Sequence, residues 1–198
     1  MCKFVKEIDN IYRLMIPFMS VYTSVFLVVA DQGLFLVDCA TTESDVKDYI
    51  IDALNDMGYD IADVTALIIT HDHSDHSGGL QTILSLAPDI KVIKDKQPLC
   101  DGVCIYPLPG HTVDFIGVLD ERCGTLISGD GIQGAGIGKF RCSLQTKEGY
   151  LHSLDKIKED KRIKNLLFSH EYEPWYKNSM MGRESVLNCL SDCMDYVK

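Results

Sequence analysis

Three histidines and two aspartates crowd into HDHSDH, the six residues from His71 to His76, in a chain that holds only six histidines in all. Imidazole and carboxylate are the donors that borderline cations such as zinc favour, at about 2.0–2.2 Å. His71 and His73 are two apart in chain that reads as extended, so their side chains leave on the same side. Asp75 and His76 fall where a helix begins and turn inward as the backbone bends, with Gly78 and Gly79 allowing a tight bend. The segment can thus offer four ligands, too few to close the shells of two metals. Three further candidates sit at the tips of apolar strands: His111 in YPLPGHT, Asp130 in LISGD and His170 in LLFSH. Any one of them alone reads more readily as an ordinary polar residue at a strand end. The four elements together do not.

The elements that must hold these side chains can be read from periodicity and turn signals. Strands are expected over 4–9 and 11–16, and the apolar run Leu14 to Ala30 is expected as two strands broken by Pro17. A hairpin turn at Asp31-Gln32-Gly33 joins two β-branched and aromatic runs. A helix follows from Thr42 or Ser44 as its cap, with Val46, Ile50, Ile51 and Leu54 at helical spacing and Gly58 ending it. A buried strand over 64–70 feeds the histidine segment, and Pro88 stops a helix over 79–87. Strands are expected again at 91–93, 103–108, 115–119, 125–128 and 165–169, with helices over 146–159 and 182–196. The order suggests two sheets packed face to face with helices outside, a four-layer α/β arrangement. His152 falls inside the 146–159 helix and is read as structural.

Composition narrows the function. One domain over residues 1–198 is the simplest parse, long enough for a sizeable core. Hydrophobic residues at 46% and charged residues at 24% suit a globular protein. A formal charge of −10 is a poor match to nucleic acid. No run approaches the ~20 apolar residues of a membrane helix. The N-terminus, MCKFVKEIDN, carries charges where a secretion signal would be apolar, so a cytoplasmic protein is expected. The eight cysteines are then expected as free thiols, with the Cys100/Cys104 and Cys189/Cys193 pairs as small buried hydrophobes rather than a zinc knuckle. The stretch GDGIQGAGIGKFRCS, 129–143, has five glycines but neither phosphate-loop spacing, and is expected as a loop beside the site.

HDHSDH, PGHT, SGD and SHEY, in this order, resemble the metallo-β-lactamase superfamily with its His-x-His-x-Asp-His signature, and LFLVDCA resembles the family strand that ends in an aspartate. The resemblance implies an αββα sandwich with two metals at one edge of the sheets. Residue by residue, it implies that His71, His73 and His111 hold the first ion. It gives Asp75, His76 and His170 to the second ion, with Asp130 bridging. Zinc is the implied metal, with iron or manganese as alternatives. Asp38 would orient a ligand, or is simply a turn residue. A bridging hydroxide would attack a carbonyl or phosphorus, with Asp75 as the catalytic residue that orients it or accepts its proton.

The ligand set most resembles glyoxalase II, a thioesterase, although only 28 residues follow His170 where that enzyme adds a helical domain. Asp130 separates the chain from secreted zinc β-lactamases, and His73 from diiron flavoproteins, which have glutamate there. Lactone hydrolases carry a tyrosine close after the bridging aspartate, where this chain has Gly131, Ile132 and Gln133. The expectation is therefore a dinuclear hydrolase of an ester, thioester or lactone of a small molecule, with no nucleic acid or membrane partner. A mononuclear iron oxygenase of the persulfide dioxygenase kind and a phosphodiesterase are the alternatives. Substrate contacts are sought at Tyr172, Glu173, Trp175 and Tyr176, and at Lys139, Phe140 and Arg141.

Overall fold

The computed structural model describes residues 2–95, 97–133, 143–172 and 177–197. The chain divides into two compact units, Met1–Lys94 and Asp95–Lys198. Each carries one six-stranded sheet.

In the first unit the sheet runs in chain order: β1 (Val5–Ile8), β2 (Ile11–Phe18), β3 (Val21–Ala30), β4 (Gly33–Val37), β5 (Val64–Ile68) and β6 (Lys91–Ile93). The first four pair antiparallel, and β4–β5 and β5–β6 pair parallel. The Leu14–Ala30 run is two strands as expected, but Pro17 does not break them. It lies inside β2 opposite Tyr22, and the chain turns at Met19-Ser20, where Met19 has φ +51°. Pairing of β1 with β2 reaches only Arg13, so β2 near Pro17 has β3 as its one strand neighbour among the described residues, and a missing N–H is tolerated there.

Parallel strands need a crossover, and a helical stretch over 43–56 provides it between β4 and β5. It comprises α1 (Glu43–Asp45), a wider turn at Val46–Ile51 and α2 (Asp52–Asp56). Thr42 is the cap: Asp45 N donates to its Oγ1 at 3.1 Å and Thr42 N donates back to Asp45 Oδ2 at 2.8 Å. Val46, Ile50, Ala53 and Leu54 are buried, while Ile51 is only half-buried. The wide turn shifts the apolar stripe that a regular helix would have drawn. These residues close over Leu14, Ile16, Val25, Leu27, Leu36 and Leu67 in the first core.

In the second unit the order is β12 (Ser179–Met180), β11 (Asn165–Leu167), β10 (Thr125–Ile127), β9 (Ile116–Asp120), β8 (Val103–Pro107) and β7 (Pro98–Cys100). Its helices are α5 (Lys147–Glu159) and α6 (Arg183–Val197), and its core gathers Leu119, Leu126, Leu166, Tyr150, Leu154, Leu190 and Cys193. Cys189 and Cys193 are buried on α6, and the seven described cysteines are free thiols. β7 and β12 were not foreseen. Both are edge strands of two or three residues, too short to show a period. Among the described residues no helix is long and apolar enough to cross a membrane.

Candidate metal centre

The ligand candidates of the first unit hang from the carboxyl ends of two parallel strands. Asp38 N donates to Ile68 O at 2.8 Å, so the end of β4 lies level with the end of β5. From there the chain runs through Thr70 and His71 into α3 (Ser74–Ser77) and α4 (Leu80–Leu86). His71 Nε2 and His73 Nδ1 come within 2.8 Å of one another, and the His71 and His76 rings lie 4.3 Å apart between centroids. Asp75 Oδ2 sits 3.3 Å from His76 Nε2. Both the His71–His73 and Asp75–His76 pairs therefore keep the spacing expected of donors to one ion. The other aspartate of the hexapeptide, Asp72, points to solvent and pairs with Lys94 at 2.6 Å. His71 and His76 are buried, Asp75 is half-buried and His73 is exposed.

Asp38 orients this cluster. It is 1% exposed, and its Oδ2 accepts from His76 Nδ1 at 2.7 Å, which leaves Nε2 of His76 with its lone pair. Its Oδ1 accepts from Thr70 N at 2.8 Å, and Thr70 Oγ1 donates to the same carboxylate. Thr70 Oγ1 also lies 3.1 Å from His71 Nδ1, the atom from which it accepts when the Nε2 side is kept for a ligand. One carboxylate thus sets the orientation of two imidazoles. Sequence reasoning missed Thr70. Its signal was only a hydroxyl residue directly before the histidine run.

Gly78 and Gly79 were expected for their conformational freedom. Both have ordinary right-handed backbone, with φ −63° and −78°. What they supply is room: a Cβ on Gly79 would lie 2.2 Å from Cys39 O, and one on Gly78 2.0 Å from Thr41 O. The contact locks the helix start to the Asp38 strand end, where Cys39 N and Sγ both donate to His76 O, at 2.8 and 3.3 Å. Burial pushes the Cys39 thiol far up, so it is an inert packing group.

The second unit brings its own three candidates together. β10 and β11 run parallel and end level, with Ser128 N donating to Leu167 O at 2.9 Å. Asp130 and His170 follow these two strand ends, and His170 Nε2 lies 3.2 Å from Asp130 Oδ1. His111, in the loop between β8 and β9, places Nε2 3.7 Å from Asp130 Oδ2. Each oxygen of one buried carboxylate therefore faces a different imidazole. His111 Nδ1 donates to Ser143 O at 2.7 Å, which turns Nε2 toward Asp130. The His111 loop is fastened to the start of α5: Gln145 N donates to Gly110 O at 2.9 Å, and Val113 N to Gln145 Oε1 at 3.1 Å. Gly110 packs directly on Tyr150, whose Cα would lie 2.8 Å from an added Cβ.

His152 is exposed on α5, apart from these contacts. The Tyr172 ring stands 5.8 Å from that of His170. Glu173, Trp175, Tyr176, Lys139, Phe140 and Arg141, and all of the 129–143 stretch except Gly129–Gln133 and Ser143, lie outside the described residues. The donors present, imidazole and carboxylate with their orienting hydrogen bonds, are the set that suits a zinc-like cation.

A family model for the metallo-β-lactamase superfamily matches residues 20–98. An atrochrysone carboxyl ACP thioesterase from Pseudocercospora fijiensis is 29% identical over 146 residues, covering 63% of this chain and 43% of that protein. A hydroxyacylglutathione hydrolase from Vibrio cholerae is 28% identical over 153 residues, covering 68% of this chain and 58% of its own length. The chain spans about half the length of these relatives. The metallo-β-lactamase FIM-1 from Pseudomonas aeruginosa, solved in a mono-zinc form, superposes with a TM-score of 0.73 at 16% identity, covering 99% of this chain and 96% of that one. That full-length likeness bears out the α/β sandwich class expected from the element order. The histidines of the HDHSDH segment lie within residues 20–98, which match the metallo-β-lactamase superfamily model, and the chain shares its fold with the metallo-β-lactamase FIM-1 over nearly its whole length.

Proposed function

We propose that residues 1–198 act as a single metal-dependent hydrolase domain cleaving a thioester, or a related ester or lactone, of a small molecule. In this reading His71, His73 and His111 hold one divalent cation, Asp75, His76 and His170 hold the other, and Asp130 serves both. The observation that carries it is the Asp130 carboxylate, buried, with one oxygen toward His111 and the other toward His170. A carboxylate placed between two imidazoles in this way has the arrangement of a bridging ligand. When bound, two such cations lower the pKa of a shared water and stabilise the charge that develops on the attacked group.

The chain's own residues do the rest. Asp38 and Thr70 fix the tautomers of His76 and His71, so that the nitrogens facing inward carry lone pairs. The Ser143 carbonyl does the same for His111. Asp75, half-buried and within reach of His76, is the carboxylate that orients the attacking water or accepts its proton. The thioester is preferred over other acyl groups because both relatives named above are, by description, thioesterase or acylglutathione hydrolase.

Metal analysis of the purified chain, joined to hydrolysis assays on acyl-thioester, lactone and phosphodiester substrates, tests the proposal. About two zinc ions per chain and thioester turnover abolished by Asp75→Asn are expected. A chain that takes up no metal on reconstitution defeats the reading. Iron as the sole metal, with oxygen consumed in the presence of a persulfide, replaces it by the oxygenase alternative.

A further inference from the structure

Beyond the ligands, Gln133 uses both ends of its carboxamide inside the second unit. It is fully buried. Its Nε2 donates to Asp130 O at 2.9 Å, and its Oε1 accepts from Ser143 N at 2.7 Å. The carbonyl of that same Ser143 accepts from His111 Nδ1. One carboxamide therefore ties the backbone of Asp130 to the residue that aims the His111 ring. Its own backbone is gripped in turn. Gln133 N donates to Tyr150 Oη at 2.9 Å, and Tyr150 Oη donates back to Gln133 O. Tyr150 is anchored in α5 among Leu154, Phe168 and Leu190.

We propose that Gln133, held by Tyr150, is a positioning residue: it sets the His111 imidazole through Ser143 and holds Asp130 in register with it. The chemistry allows little substitution. Glutamate has no donor for Asp130 O and buries a charge, and asparagine is one methylene short of spanning the two backbones. An apolar residue of equal volume would fill the space and leave Ser143 N–H and Asp130 C=O without their partner. Residues that merely pack do not need both ends of an amide. The proposal rests on the reading of His111 and Asp130 as ligands for its consequence, though its geometry does not.

Two readouts on the full chain separate those levels. In metal-free protein, two-bond 1H–15N correlation of the imidazoles should show His111 as the Nδ1–H tautomer. Gln133→Met should move those shifts toward averaging, and Tyr150→Phe should move them the same way by less. Zinc competition with a chromophoric chelator should then show one of two sites weakened about 10–100-fold in Gln133→Met, as loss of an orienting partner does. Leu154→Ala, which opens a cavity in the same core, should lower the melting temperature and leave the His111 tautomer unchanged. His111 signals unaltered in both Gln133→Met and Tyr150→Phe, or altered equally by Leu154→Ala, overturn the proposal. A wild-type chain that binds no zinc, with the tautomer still lost in Gln133→Met, sinks the metal reading and leaves the positioning role standing.

Discussion

Replacing Asp38 by asparagine is the sharpest probe of the first ligand set, because it changes charge and hydrogen bonding without changing shape. The carboxylate receives Thr70 N–H at Oδ1 and His76 Nδ1–H at Oδ2, at 2.8 and 2.7 Å. An amide offers one acceptor oxygen, so its NH2 must face one of these donors. Facing Thr70, it strands a buried backbone N–H at a cost of about 1–3 kcal/mol. Facing His76, it forces that imidazole to accept at Nδ1 and carry its proton on Nε2, the nitrogen turned toward Asp75. The second outcome removes a lone pair from the candidate ligand, and loss of such a carboxylate partner lowers metal affinity about 10–100-fold. That span corresponds to about 1.4–2.7 kcal/mol, the same range as the stranded donor, so both routes should be visible. Backbone strain is separable. Asp38 has φ +64°, a region asparagine tolerates and alanine does not. Asp38→Ala should therefore lose a further ~1–2 kcal/mol of metal-free stability that Asp38→Asn keeps. The assay is zinc competition for all three chains, with thermal unfolding of each in its metal-free state. Zinc affinity and metal-free stability both at wild-type levels in Asp38→Asn, or equal stability of the two variants, would refute the reasoning.

Two further tests probe the scaffold. Gly79→Ala puts a Cβ 2.2 Å from Cys39 O although φ is −78°, so it should cost roughly 1–3 kcal/mol, about 2–12 °C in melting temperature. Were the space beside Gly79 open, its ordinary φ would let alanine stabilise the chain slightly, and calorimetry reads the sign. On α5's C-terminal side, the Arg162 guanidinium hydrogen-bonded to Asp160 holds that carboxyl below the usual aspartate range, against a partial burial that raises it. A depressed folded pKa means the unfolded chain binds more protons, so this contribution is complete above about pH 4 and fades as the pH falls below it. The melting-temperature gap between metal-free wild type and Asp160→Asn should accordingly be present at pH 7 and close toward pH 3, and a gap that widens in acid would contradict it.

What could be read from sequence and what could not divides along a physical line. A ligand is legible because its type is scarce and its chemistry narrow. Three imidazoles in six residues have few uses, and His71, His73 and His76 do converge in the first unit, as His111, Asp130 and His170 do in the second. Long elements were legible for a similar reason: β3 is a run rich in β-branched and aromatic residues buried along its centre, and the buried face of α5 recurs at helical spacing. Edge strands of two or three residues leave none, so β7 and β12 were invisible. Pro17 misled because the rule against proline concerns a ladder bond, and only the pairing shows whether that bond exists on a given edge.

The supports behind the ligands are of a different kind. Thr70, Ser143 and Gln133 are ordinary residue types, and each matters through a partner 10 to 32 positions away or through a single neighbour. Nothing local distinguishes them from solvated loop residues until the strand ends are aligned. Gly78 and Gly79 show the same limit: the residues were singled out correctly, but their reason is the approach of the Cys39–Thr41 backbone, a distance no local pattern encodes. A ligand must be one of four side chains wherever it stands. An orienting group need only place a donor or acceptor at about 2.8 Å, which any polar residue and every peptide unit can do. The ligands of a metal site are therefore constrained by the chemistry of the cation, and the groups that orient them by fold geometry. The variants that report on the fold's own contribution to this site are Asp38→Asn and Gln133→Met, not substitutions of the histidines themselves.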